Sequence, residues 1–136
     1  MVPWNDVERG PHGGVPAMRT IIAGSRNITD LSVVRKAVER SGFSVTEVVS
    51  GGARGVDRLG ERLARMLGGP CRVFPADWDA HGRSAGVIRN GEMADYADAL
   101  VAVWDGRSRG TANMISQARR RGLAVYVHRP DSPVSG

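Results

Sequence analysis

Glycine and arginine recur together in this chain at three places where a run of aliphatic residues gives way to a helical pattern. The three places are Gly24-Ser25-Arg26, Ser50-Gly51-Gly52-Ala53-Arg54-Gly55, and Asp105-Gly106-Arg107-Ser108-Arg109-Gly110-Thr111. Glycine lets the backbone take positive φ and lets a ligand approach closely. The free N–H groups and dipole at the start of the next helix favour an anion, and arginine's planar fork matches phosphate. One glycine-rich turn says little, because tight strand-to-helix turns use glycine for steric reasons alone. Three on one edge of a sheet make an anion site.

The segment PADWDAHGRSAGVIRN, residues 75–90, is unusually polar for a connection between core elements. Asp77 and Asp79 are able to accept hydrogen bonds from ribose hydroxyls, Trp78 to stack on a base, and His81 and Arg89 to bind phosphate. Each has an ordinary alternative. Trp78 is read as core packing, Asp79 as a helix cap and His81 as a surface residue.

The elements that position these residues follow from periodicity. Arg19 to Ala23 reads as a strand, and Leu31, Val34, Ala37 and Val38 give helical spacing after a Thr29/Asp30 cap signal. Thr46 to Val49 is the second strand. Val56, Leu59, Leu63 and Met66 mark the apolar stripe of the next helix, stopped by Gly68-Gly69-Pro70. A short strand at 72–74, a weaker helix near 84–97, a strand at 100–104, a helix at 111–121 and a strand at 124–127 complete the succession. Apolar strands joined by crossover helices imply a parallel sheet covered on both faces. The expected fold is α/β, a single doubly wound domain with a mostly parallel five-stranded sheet over residues 18–129. Ligands of such sheets bind beyond the carboxyl ends of the strands, which is where the three turns lie.

Residues 1–17 hold three prolines and three glycines with little periodicity. They are expected to be a disordered arm, with Met18 a candidate start, and 130–136 a flexible tail. The chain has 136 residues, 41% hydrophobic and 24% charged, which suits one domain. No run reaches the roughly 18 apolar residues of a membrane span, and the N-terminal residues lack a signal-peptide pattern, so a cytoplasmic protein is expected. The single cysteine, Cys71, excludes an internal disulfide, and its place in CRVF reads as a buried small hydrophobe. His12, His81 and His128 are too scattered for a metal site, and neither a metal nor a cofactor is expected. The net charge of +5 invites a nucleic-acid reading. Every basic residue except Lys36 is arginine, however, and these are scattered through helices whose outer faces would be charged anyway.

Taken together, Gly24-Ser25-Arg26, GGARGVD at 51–57, FPADWDAHGRSAGVIRN at 74–90 and RSRGTANM at 107–114 resemble the YspA-type branch of the SLOG superfamily, a Rossmann-like group that also holds the lonely-guy hydrolases and the DprA proteins. The resemblance runs from about Arg19 to Val127. It implies a site for a nucleotide or nucleotide-derived small molecule on the glycine-rich edge, and self-association through helices beside the site. Arg89 matches the phosphate-binding arginine of the lonely-guy enzymes, with Met93 at the expected offset. Gly106, Gly110 and Thr111 match their glycine loop. The position of their glutamate is Met114, and that of the proline before the loop is Asp105. A thioether cannot stabilise an oxocarbenium-like centre or manage a proton, so catalysis would need Arg89 with Asp57, Asp77 or Asp105. With Thr111 read as the cap, Met114 would be the third residue of its helix.

The ligand-contacting set is therefore Gly24, Ser25, Arg26, Gly51, Gly52, Ala53, Arg54, Gly55 and Asp57 from the first two turns, then Asp77, His81, Arg89 and Asn90. Gly106, Arg109, Gly110, Thr111 and Asn113 close it. Three functions compete. The first is binding, as a sensor or sequestering module. The second is a nucleotide N-glycosidic hydrolase. The third is DprA-like binding of single-stranded DNA, disfavoured because only 5% of residues are aromatic.

Overall fold

The computed structural model describes residues 18–130. The expected arm at 1–17 and nearly all of the expected tail lie outside the described residues. Five parallel strands, β1 (Met18–Gly24), β2 (Val45–Ser50), β3 (Cys71–Val73), β4 (Ala99–Val103) and β5 (Ala124–His128), form one sheet in the order β3-β2-β1-β4-β5. The sheet is wholly parallel, so the doubly wound α/β domain is as the sequence predicts.

The sequence successor of β1 lies on one side of it and β4 on the other, so the strand order reverses at β1 and opens a crevice beyond its carboxyl end. β1 is apolar on both faces because both are covered. Ile22 packs with Val34, Val38, Val56 and Leu63 of α1 (Leu31–Ser41) and α2 (Val56–Leu67). Ile21 and Ala23 face the opposite layer, with Met93, Met114 and Ala118 of α4 (Ala85–Tyr96) and α5 (Arg109–Arg120). Between β3 and α4 the chain forms α3 (Trp78–His81) and a 3₁₀ turn at Gly82–Ser84.

The helix ends follow from local chemistry. Asp30 caps α1 through the Ser32 N–H at 2.9 Å, and Gly42 closes it in the left-handed conformation. Gly68 ends α2 in the same way.

Several sequence expectations are corrected. β3 is a three-residue strand at the sheet edge, so Cys71 is exposed rather than buried. Met66 is exposed too, and Leu67 packs against the core in its place. Trp78 is 55% exposed and is no core residue. Asp77, not Asp79, caps α3, accepting the Ala80 N–H at 3.0 Å. The cap of α5 is Ser108, not Thr111, so Met114 is the sixth residue of that helix and not the third.

Candidate functional site

The three glycine-rich turns are stitched to one another by Ser25. Its N–H donates to the Val103 carbonyl at 3.1 Å, extending the β1–β4 ladder, and its Oγ accepts the Asp105 N–H at 3.0 Å. Its carbonyl accepts the Val56 N–H at 3.4 Å, the first of α2. Gly24 precedes it because a Cβ there would collide with the Val103 carbonyl and the Val56 side chain. Gly55 is equally constrained. It has φ of 80°, and its α-carbon faces the backbone of Ser25 and Arg26 with no room for a side chain. The start of α2 is thereby held against the β1 turn.

The 50–55 turn is fixed internally. Ser50 Oγ donates to Glu61 Oε2 at 2.6 Å and accepts the Gly52 N–H at 3.0 Å, while Arg58 Nε donates to the Gly52 carbonyl at 3.0 Å. Just beyond it, in the first turn of α2, lies Asp57, only 5% exposed. Burial pushes its carboxyl up to about 6, against the Arg89 charge and the N–H groups of Ala53 and Gly24, which favour ionisation; Glu61 adds to the upward push.

Asp105 has the opposite character. Its Oδ1 accepts the N–H groups of Arg107 and Ser108, both at 2.8 Å, and these bonds hold its carboxyl below the usual range. It is an ionised pin for the loop. Ser108 then caps α5 through the Thr111 N–H at 3.5 Å, and its carbonyl accepts Trp104 Nε1–H at 3.0 Å. The N-terminus of α5, with Arg109 in its first turn, faces the crevice.

From the other side come Arg89 and Asn90 of α4. Arg89 Nη1 donates to the Gly51 carbonyl and its Nε to Asn90 Oδ1 at 3.2 Å. Asn90 is buried between α4 and α5, where its Nδ2 donates to the Gly110 carbonyl at 3.2 Å and to Asn113 Oδ1 at 3.0 Å.

These elements enclose a cleft of roughly 590 Å³, in the range of small-ligand sites. The structure brings most of the sequence-derived set into it. Gly24, Ser25 and Arg26 line one wall with Ala53 and Asp57. Arg89 and Asn90 line a second, and Asp105, Arg109, Gly110, Thr111 and Asn113 a third. Gly51, Gly52 and Arg54 line an adjoining hollow of roughly 530 Å³ that shares Arg26, Ala53, Trp78 and Arg89 with the cleft. Gly55, Asp77, His81 and Gly106 line neither. Gly55 and Gly106 shape backbone, Asp77 is spent capping α3, and His81 is exposed beyond the rim.

Sequence reasoning missed Asn27, Arg83, Gly86, Val87 and Ser108, and assigned Trp78 to the core. Arg83 and Gly86 sit in the polar 75–90 segment, which was a usable signal. Val87 carries none, because its membership depends on how α4 meets α5. Met93 and Met114, both buried in the core, also reach the cleft floor, so Met114 is a packing residue that touches the site.

Among the described residues no group of three or more His, Cys, Asp or Glu is arranged to hold a metal ion, and no helix is long and apolar enough to cross a membrane.

The Gene 61 protein of Mycobacterium phage D29 is 39% identical over 117 residues, covering 79% of this chain and 93% of the phage protein. No solved structure matches the chain. The model of the YspA, cpYpsA-related SLOG family matches residues 18–81, the segment that carries β1, the first two glycine-rich turns and α3. With the glycine-stitched edge and the 3-2-1-4-5 sheet, the chain belongs to the YspA, cpYpsA-related SLOG family, a membership that points to a nucleotide-related role.

Proposed function

We propose that this protein binds a nucleotide or nucleotide-derived small molecule in the cleft beyond β1 and β4, as a sensor or sequestering module. The observation that carries the reading is convergence. The N-terminus of α5, the Arg26, Arg89 and Arg109 side chains and the Asn113 amide all border one cleft at the point where strand order reverses. Phosphate oxygens are matched by that donor-rich lining, and Trp78 on the rim offers a face for a base. Thermal-shift measurements against nucleoside mono-, di- and triphosphates, cyclic nucleotides and ADP-ribose test it. Stabilisation by at least one is expected, and reduced in Arg109→Ala and Arg26→Ala. Failure of every ligand to stabilise the wild-type protein overturns the reading.

A second reading rests on one further observation. Asp57 is a buried carboxylate bordering the cleft, raised to about 6 and close to Arg89, the combination that suits proton transfer near neutral pH. Hydrolysis of the N-glycosidic bond would then use Asp57 in place of the glutamate absent at Met114. Asp105 and Asp77 are committed to loop and helix caps. Incubation with nucleotides that bind, followed by detection of free base or ribose phosphate, decides the matter; binding without turnover rejects it.

A further inference from the structure

Behind the cleft a continuous chain of side-chain amides crosses the interface of α4 and α5. Gln117 Nε2 donates to the Val87 carbonyl at 3.0 Å and to Asn113 Oδ1 at 3.0 Å. Asn90 Nδ2 donates to the Gly110 carbonyl and to the same Asn113 Oδ1. At its outer end Gln117 Oε1 accepts Arg121 Nη1–H at 2.9 Å, and Arg121 Nε donates to Asp95 Oδ1 at 2.7 Å. At its inner end Asn90 Oδ1 accepts from Arg89 Nε.

The polarity of this chain is forced. A backbone carbonyl only accepts, so Val87 obliges Gln117 to present its NH₂, and Gly110 obliges Asn90 to do the same. Both protons of each NH₂ are then used, and both second protons point at Asn113. Asn113 has to answer with its oxygen, because the reversed amide would set NH₂ against NH₂ twice over. Its own NH₂ is left without a partner among the described residues, on a side chain that lines the cleft. Arg89 is similarly tied through Nε and Nη1, which leaves Nη2 unpartnered among the described residues. Asn90 and Gln117 are both buried, so no water competes for these bonds along most of the ladder.

We propose that Gln117, which does not line the cleft, is a positioning residue that fixes Asn113 as a donor, and that the cleft at Asn113 and Arg89 thereby selects an acceptor-only group, the phosphate of the ligand. This rests on the nucleotide-binding reading above and adds which part of the ligand is read and by what. A cleft wall set to donate twice favours an anionic oxygen over a hydroxyl or amide, which would bring a competing donor or a weaker acceptor.

The test compares AMP, ADP-ribose and adenosine by titration calorimetry on wild type, Asn113→Asp and Gln117→Met, with far-ultraviolet melting curves as a check of folding. Asn113→Asp keeps the oxygen that Asn90 and Gln117 need and replaces the unpartnered NH₂ by an acceptor. It is expected to weaken AMP and ADP-ribose by about tenfold or more while leaving adenosine little changed. Gln117→Met removes one of the two donors that fix Asn113, without adding charge, and is expected to lower the preference for AMP over adenosine in the same direction by a smaller factor. A general loosening of the α4–α5 interface would weaken adenosine equally and leave that preference unmoved, which overturns the proposal. So does unchanged phosphate affinity in both variants, an outcome that leaves nucleotide binding itself standing. No binding of AMP, ADP-ribose or adenosine by the wild-type protein overturns the proposal; if the wider nucleotide panel fails as well, the underlying reading falls with it.

Discussion

Asp57 and Arg89 flank Gly51 from two sides, and a Cβ on that glycine would lie 2.9 Å from Asp57 Oδ2 and 2.8 Å from Arg89 Cζ. They form no direct ion pair, because Arg89 spends Nη1 on the Gly51 carbonyl. The carboxylate therefore feels the arginine's field without a bond to it, and its burial dominates.

A pH dependence follows from that imbalance. Asp57 titrates near 3.8 in the unfolded chain and about 6 in the fold, so the folded state binds the extra proton between those values and stability falls as pH rises from about 4 to 6. Asp57→Asn removes the penalty while keeping an acceptor for the Ala53 N–H. The stability difference between variant and wild type should grow in favour of the variant by about 2 to 2.5 kcal/mol from pH 4 to pH 7. Urea unfolding at both pH values measures it. A difference that stays constant with pH would show that Asp57 is not desolvated.

Met114 should behave as core. Met114→Leu should cost less than about 1.5 kcal/mol. Met114→Glu places a carboxyl at a 1% exposed position among Ile21, Met93 and Ala118. It should cost roughly 3–5 kcal/mol at neutral pH and produce no nucleotide cleavage. Melting curves and product detection report the two effects separately.

Two glycines should respond in opposite senses. Gly24→Ala drives a methyl into the Val103 carbonyl and should destabilise by about 2–3 kcal/mol. Gly110, the second residue of α5, has open space where its Cβ would go, so Gly110→Ala should gain about 0.5 kcal/mol in helix propensity. If the ligand approaches that backbone closely, the same variant binds it less well despite its greater stability. Equal affinity would place the ligand elsewhere in the cleft.

Cys71 should be titratable in the native protein. Its thiol is exposed on β3, yet partial burial and the charge of Glu61 push its ionisation upward. A native-state thiol reagent should modify one group per chain, more slowly at neutral pH than free cysteine. Reaction only after unfolding would return β3 to the interior.

The strand-helix succession was legible because most strands are short apolar runs and α1, α2 and α5 keep a 3.6-residue stripe, while α4, with Val87 and Ile88 exposed and Asn90 buried, gives only a weak one. The glycine-rich turns announced the site for the same local reason, since backbone that must pass close to backbone leaves glycine behind. What escaped was decided between elements. Ser108 and Thr111 are both good caps three residues apart, and the Asp105 bonds to the Arg107 and Ser108 N–H groups select the first. Cys71 looked buried because CRVF is an apolar-looking run, and nothing in it says that β3 stands at an edge. The Asn90–Asn113–Gln117 ladder spans two helices and has no signature in either.

β3 joins the sheet through only three paired residues, and the chain that leaves it carries Trp78 along the cleft rim. A segment hung from so short a strand opens at a lower free energy than β1 or β4, which are gripped on both sides. Of the walls around the cleft, the one that carries Trp78 is therefore the first expected to give way, and amide hydrogen exchange should be faster in β3 than in β1 or β4.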